Sequence, residues 1–106
     1  MPFYPLTTTT HDGKRITLTI DDWLHIKFRH PEVGEDANKL LQIFSNPDEL
    51  YKDERGGIHA LKRIDEEHFL VVIYELENIE GYIRTAYLIN GKRKRRRYGT
   101  LSLRQF

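Results

Sequence analysis

The stretch Phe69-Leu70-Val71-Val72-Ile73-Tyr74 constrains this chain more than any other segment. Neighbours in an extended strand point to opposite faces, so six apolar residues in a row demand a strand covered on both sides. Charged segments bound the run: Asp65-Glu66-Glu67 reads as a hairpin turn before it, and Glu77 to Glu80 as a turn after it. Ile58 to Ile64 and Tyr82 to Ile89 read as strands on either side of it in sequence. In the last of these, period two puts Ile83, Thr85, Tyr87 and Ile89 on one face and Tyr82, Arg84, Ala86 and Leu88 on the other.

Upstream the pattern changes. Residues Met1 to Thr10 hold two prolines and four consecutive threonines and read as an extended lead-in. Asp12-Gly13 is a turn signal, and Arg15 to Ile20 alternates polar with apolar, so residues 1–20 are expected as a strand or hairpin. Asp21 or Asp22 can cap a helix running from Trp23 to about Arg29, which Pro31 limits. Ala37, Leu40, Leu41 and Phe44 form an apolar stripe that predicts a second helix over Glu35 to Phe44. Asn46-Pro47-Asp48 ends it, Leu50 to Lys52 reads as a short edge strand, and Gly56-Gly57 as a turn. Asn90-Gly91 favours a hairpin turn, with a return strand through Tyr98 to Leu103. These elements predict a single α+β domain: two N-terminal helices packed on a four- to five-stranded antiparallel sheet.

Charge divides the chain. Its 106 residues carry a net charge of +1. Residues 1–83 hold 9 basic and 16 acidic side chains, whereas residues 84–106 hold 8 basic and no acidic ones. An acidic body with a basic end points to a polyanionic partner. Lys92-Arg93-Lys94-Arg95-Arg96-Arg97 is the strongest local signal, suited to a phosphate backbone, and Tyr98 beside it is placed to stack on a base. With no cysteine, disulfides and cysteine-based metal sites are excluded. No apolar run reaches the length of a membrane span and no leader pattern opens the chain, so a soluble, cytoplasmic protein without membrane partners is expected.

Five histidines offer proton-transfer chemistry near neutrality. His25 and His30 flank the first helix, five residues apart, which puts them on different faces and argues against a shared metal ion. Taken singly, each reads as a surface or helix-end histidine. A catalytic reading needs cations and hydroxyls to converge on one of them, and Lys62, Arg63, Arg84, Thr85 and Tyr87 are the candidates. No serine-nucleophile motif, phosphate-binding glycine loop or dinucleotide fingerprint is present.

The segments His25-Ile26 through His30-Pro31-Glu32-Val33, Asn46-Pro47-Asp48-Glu49-Leu50-Tyr51, Leu70-Val71-Val72-Ile73 and Ile83-Arg84-Thr85-Ala86-Tyr87 resemble, in order and spacing, the phage branch of the BECR ribonuclease group. That group gathers barnase, EndoU, certain tRNA-cleaving colicins and RelE-like toxins. The resemblance spans roughly Trp23 to Leu88. It departs at His59-Ala60, where a tyrosine-rich stretch is usual, and in the added basic extension over 92–106.

The resemblance implies a two-helix layer on an antiparallel sheet, with a site where the first helix meets the sheet. It implies metal-independent RNA cleavage, in which the 2′-hydroxyl attacks the adjacent phosphate, with no cofactor. Carried onto this chain, His25 is the first candidate for acid or base and His30 the second. Lys62 or Arg63 would hold the phosphate and Thr85 would contact it. Arg29, Arg84, Tyr87 and the cations Lys92, Arg93, Lys94, Arg95, Arg96 and Arg97 would bind RNA. A toxin-type nuclease also leaves room for a cognate inhibitor protein. Two alternatives remain open: a non-catalytic nucleic-acid-binding module using the basic end, and an interaction protein that docks an acidic partner there.

Overall fold

The computed structural model describes residues 3–99 and 102–103. In chain order the elements are β1 (Leu6–Thr9), β2 (Arg15–Leu18), α1 (Ile20–Arg29), α2 (Asn38–Gln42), β3 (Glu49–Lys52), β4 (Ile58–Arg63), β5 (His68–Glu77), β6 (Glu80–Asn90), α3 (Gly91–Tyr98) and β7 (Ser102–Leu103). Single turns of 3-10 helix follow α1 and α2, at Pro31–Val33 and Ile43–Ser45.

The strands form one sheet in the order β1-β2-β6-β5-β4-β3-β7. All neighbours are antiparallel except β2 and β6, which run parallel, with Ile16 opposite Gly81. Two helices on a four- to five-stranded antiparallel sheet is therefore corrected. The sheet is mixed and wider, its seventh strand only two residues long, and a third helix lies at the C-terminal end.

Each difference has a physical origin. The parallel seam depends on Gly81. A Cβ there would meet Ile16 Cδ1 and Leu76 Cδ2 at 2.8 Å and the Glu75 carbonyl oxygen at 3.1 Å, so any larger residue makes its neighbours shift. The long stretch of chain between Arg15 and Glu80 leaves no local trace of their pairing. Asn90, read as half of a hairpin turn, instead caps α3: its side-chain oxygen accepts from the Arg93 N–H at 2.8 Å. Tyr98 ends that helix, and the strand expected over Tyr98 to Leu103 is reduced to Ser102–Leu103 on the edge of β3. The rest of the expected extension, residues 100–101 and 104–106, lies outside the described residues, as do residues 1–2 of the lead-in.

The cap of α1 is Thr19, not Asp21 or Asp22. Its hydroxyl accepts from the Asp22 N–H at 3.1 Å and donates to the Asp22 carboxylate at 2.9 Å. The second helix is shorter than its apolar stripe suggested, with Ile43–Ser45 tightening into 3-10 geometry. Trp23, Ile26, Leu40, Leu41 and Phe44 still form one layer against the sheet.

The apolar run of β5 is buried on both sides. Leu70, Val72 and Tyr74 join the core beneath α1 and α2. Phe69, Val71 and Ile73 face a second, smaller core with Tyr51, Leu61, Tyr87, Ile89 and Tyr98. That second core is covered by α3. A bulge in β6 shifts the register between Ile73 and Tyr74, leaving Arg84 as the extra residue. Ile83 and Ala86 therefore share the first core, while Tyr87 and Ile89 belong to the second. The unbroken period-two face of Ile83, Thr85, Tyr87 and Ile89 does not exist.

Candidate functional site

Along β6, β2 pairs only with Glu80–Tyr82, so among the described residues the second half of β6 has no strand on that side. The chain leaving α1 runs along this edge. Glu32 reaches the Leu88 N–H at 3.5 Å, and the His30 ring packs 5.6 Å from that of Tyr87. On the other side α3 crosses the same strand. Between them lies a cleft of about 280 Å³ lined by His30, Glu32, Ile73, Thr85, Tyr87, Leu88, Ile89, Arg93 and Arg97.

Helix α3 is a run of cations, which repel one another at i,i+4 spacing. Its inward side offsets this. Tyr98 is 2 % exposed and anchors the C-terminal turn. Lys94, one turn before Tyr98, bonds Glu49 at 2.7 Å and sits 5.1 Å from the Phe69 ring. Arg93 and Arg97, also one turn apart, face the cleft, with the Arg97 guanidinium 5.2 Å over the Tyr87 ring. Lys92, Arg95 and Arg96 are exposed. The six cations thus divide into one spent internally, two aimed at the cleft and three turned to solvent. Tyr98 is not available to stack on a base.

The remaining candidates separate. His30 Nδ1 lies 3.4 Å from the Glu32 carboxylate, and the ring lines the cleft with Thr85 and Tyr87. His25 lies on the solvent side of α1 with Leu24 and Phe28, and it does not line the cleft. Arg29 is likewise exposed. Lys62 donates to the Asn46 carbonyl at 3.0 Å and to Asp48 at 3.3 Å. It lines a neighbouring, more apolar groove of about 610 Å³ that shares Glu32 and Leu88 with the cleft. Arg63 clasps the β4–β5 turn through the carbonyls of Asp65 and Glu66 at 3.0 and 2.6 Å. Arg84 pairs with Asp22 and Glu75, at 3.9 and 3.7 Å. Glu32 stands in one of the motif segments yet carries no role in the sequence reading. Its signal is its place two residues after a histidine.

A second polar group was not foreseen. His59 is 6 % exposed, among Ile58, Ala60 and Leu61 on β4. Its Nε2 lies 2.8 Å from Asp53 and its Nδ1 2.9 Å from the Tyr98 hydroxyl, which lies 2.9 Å from that of Tyr87. The His59 hydrogen bond holds the Asp53 carboxyl below the usual carboxylate range. Burial above all pushes the Tyr98 hydroxyl well above the usual tyrosine range. A histidine inside an otherwise apolar strand was the available sign of this network.

Among the described residues no three His, Asp or Glu side chains are grouped as a metal ion would require. Nor is any helix long and apolar enough to cross a membrane. No protein-family model, curated protein or solved structure matches the chain.

Proposed function

We propose that the chain is a metal-independent endoribonuclease whose site is the cleft between α3 and the open edge of β6. One observation carries this reading: an imidazole, a carboxylate, a hydroxyl and two guanidinium groups, from His30, Glu32, Thr85, Arg93 and Arg97, line one cavity. RNA can cleave itself if its 2′-oxygen loses a proton as it attacks the adjacent phosphate and the departing 5′-oxygen gains one. Glu32 accepts the first proton. His30, oriented by Glu32, donates the second. Arg93 and Arg97 offset the charge growing on the phosphoryl oxygens, and the Thr85 hydroxyl donates to one of them. The products are a 2′,3′-cyclic phosphate and a free 5′-hydroxyl.

The test is cleavage of single-stranded RNA in EDTA, with the new ends identified by mass. His30→Ala should lower the rate about 100- to 10,000-fold, the usual worth of a positioned proton-transfer group. His25→Ala should leave it within about twofold. Equal losses in both variants, or cleavage abolished by EDTA, would overturn the assignment. The exposed Lys92, Arg95 and Arg96 favour a second reading, a binding module without catalysis. Tight, salt-sensitive RNA binding with the RNA left intact would establish that instead.

A further inference from the structure

We propose that His59, through Tyr98, is a positioning residue for the cleft, with Asp53 fixing its tautomer; this rests on the cleft being the RNA site. Asp53 is held by its own turn, where the Arg55 and Gly57 N–H groups both donate to its Oδ1 at 2.9 Å. As a carboxylate it only accepts, so His59 Nε2 carries the proton directed at it. With the ring neutral, Nδ1 is then an acceptor, and the Tyr98 hydroxyl donates to it. The Tyr98 oxygen in turn accepts from the Tyr87 hydroxyl. Every bond in the chain thereby has one direction, from Tyr87 inward to Asp53.

The two ends of this chain differ in kind. Asp53 sits on the β3–β4 turn, while Tyr87 forms a wall of the cleft against His30 and beneath Arg97. Tyr98 is the only described α3 residue that is buried, and its hydroxyl, bonded to His59 and Tyr87, ties the end of that helix to β4 and β6 beside the clamp of Lys94 on Glu49. Loss of the chain lets α3 shift on the sheet, and a shift there moves Arg93 and Arg97 relative to the phosphate. The exposed Lys92, Arg95 and Arg96 need no such accuracy to hold RNA. The expected signature is a loss of turnover with little loss of affinity. The other titratable groups facing His59 are Tyr98, bonded to it, and Tyr51, its cross-strand neighbour on β3, which bonds Glu49.

Tyr98→Phe removes one oxygen and keeps the ring, and His59→Gln keeps a donor and an acceptor that His59→Leu lacks. Nitrogen-15 spectra of the wild type should show His59 protonated at Nε2 and bare at Nδ1. Tyr98→Phe should lower kcat at least tenfold and change KM less than threefold, and His59→Gln should retain more activity than His59→Leu. A 2′-O-methyl RNA oligonucleotide, which cannot be cleaved, should shift the Thr85 amide in the wild type and at least threefold less in Tyr98→Phe. Folded Tyr98→Phe protein with normal kcat and normal Thr85 shifts, or an Nδ1-protonated His59, overturns the proposal. A wild type that never cleaves RNA, but loses the Thr85 shift on Tyr98→Phe, defeats the nuclease reading and upholds the positioning role. A wild-type Thr85 amide that ignores the oligonucleotide defeats both.

Discussion

The division of labour along α3 makes a quantitative prediction about salt. Five of its six cations, Lys92, Arg93, Arg95, Arg96 and Arg97, are exposed, whereas Lys94 is committed to Glu49. Each phosphate neutralised on a single strand contributes about −0.7 to the slope of log affinity against log salt, so five contacts give about −3.5. Affinity for a non-cleavable RNA oligonucleotide should then fall about 100-fold between 50 and 200 mM salt. Arg95→Gln with Arg96→Gln should reduce the slope to about −2.1 and the drop to about 20-fold. Arg93→Gln with Arg97→Gln should change the slope equally. The pairs should differ in turnover. At saturating RNA the outer pair should leave kcat unchanged, whereas the inner pair should lower it at least about 100-fold, the scale for removing a donor to a charging oxyanion. Fluorescence anisotropy across a salt series gives the slopes, and single-turnover cleavage gives the rates. Equal effects of the two pairs on cleavage would refute the claim that Arg93 and Arg97 serve the cleft. An unchanged slope in either pair would refute phosphate contact by that pair.

Three further outcomes follow from the fold. Gly81→Val should destabilise the protein by about 1–3 kcal/mol by chemical denaturation, because its side chain must displace Ile16 and Leu76 at the parallel seam; an unchanged midpoint would mean that the seam is looser than described. Leu61→Ala, at a site with no exposure, should cost about 2–5 kcal/mol in the same assay, and a cost below about 1 kcal/mol would mean that the second core barely contributes. Asp53 has a depressed folded pKa, so its contribution to stability is present above the unfolded carboxylate value of about 4 and is lost as pH falls through the folded value. Thermal unfolding of Asp53→Asn should therefore decline less steeply with acidification than that of the wild type, though not become flat, since Asp12 and Asp65 share the direction of shift; identical slopes for the two proteins would refute the link between Asp53 and acid stability.

What was legible in the sequence was local. The run Phe69 to Tyr74 announced a strand covered on both faces, and Asp12-Gly13 announced a turn that joins two paired strands. The cations of residues 92–97 were visible as a group, but their conformation was not. Asn serves hairpin turns and helix caps alike, and Lys and Arg are good helix formers whose mutual repulsion argues the other way. What decides is tertiary: the burial of Tyr98 and the bond from Lys94 to the distant Glu49. The pairing of Ile16 with Gly81 is equally non-local. Among the residues that line the cleft, His30, Thr85, Tyr87, Arg93 and Arg97 are sequence candidates, whereas Glu32 is not. The resemblance placed His25 before His30, and helix periodicity says which residues share a face, not which face meets the sheet edge. His59 was noticed only as a departure from a pattern, since nothing local discloses that Asp53 and Tyr98 stand on either side of it.

The extra residue in β6 settles which side of the sheet faces the cleft. Alternation along a strand counts residues by odd and even, and Arg84 resets that count midway. Upstream of it the odd-numbered Ile83 looks toward α1; downstream the odd-numbered Tyr87 and Ile89 look toward α3. A chain one residue shorter here would turn Thr85 and Tyr87 over into the main apolar layer and leave the arginines of the last helix facing a wall without their hydroxyls.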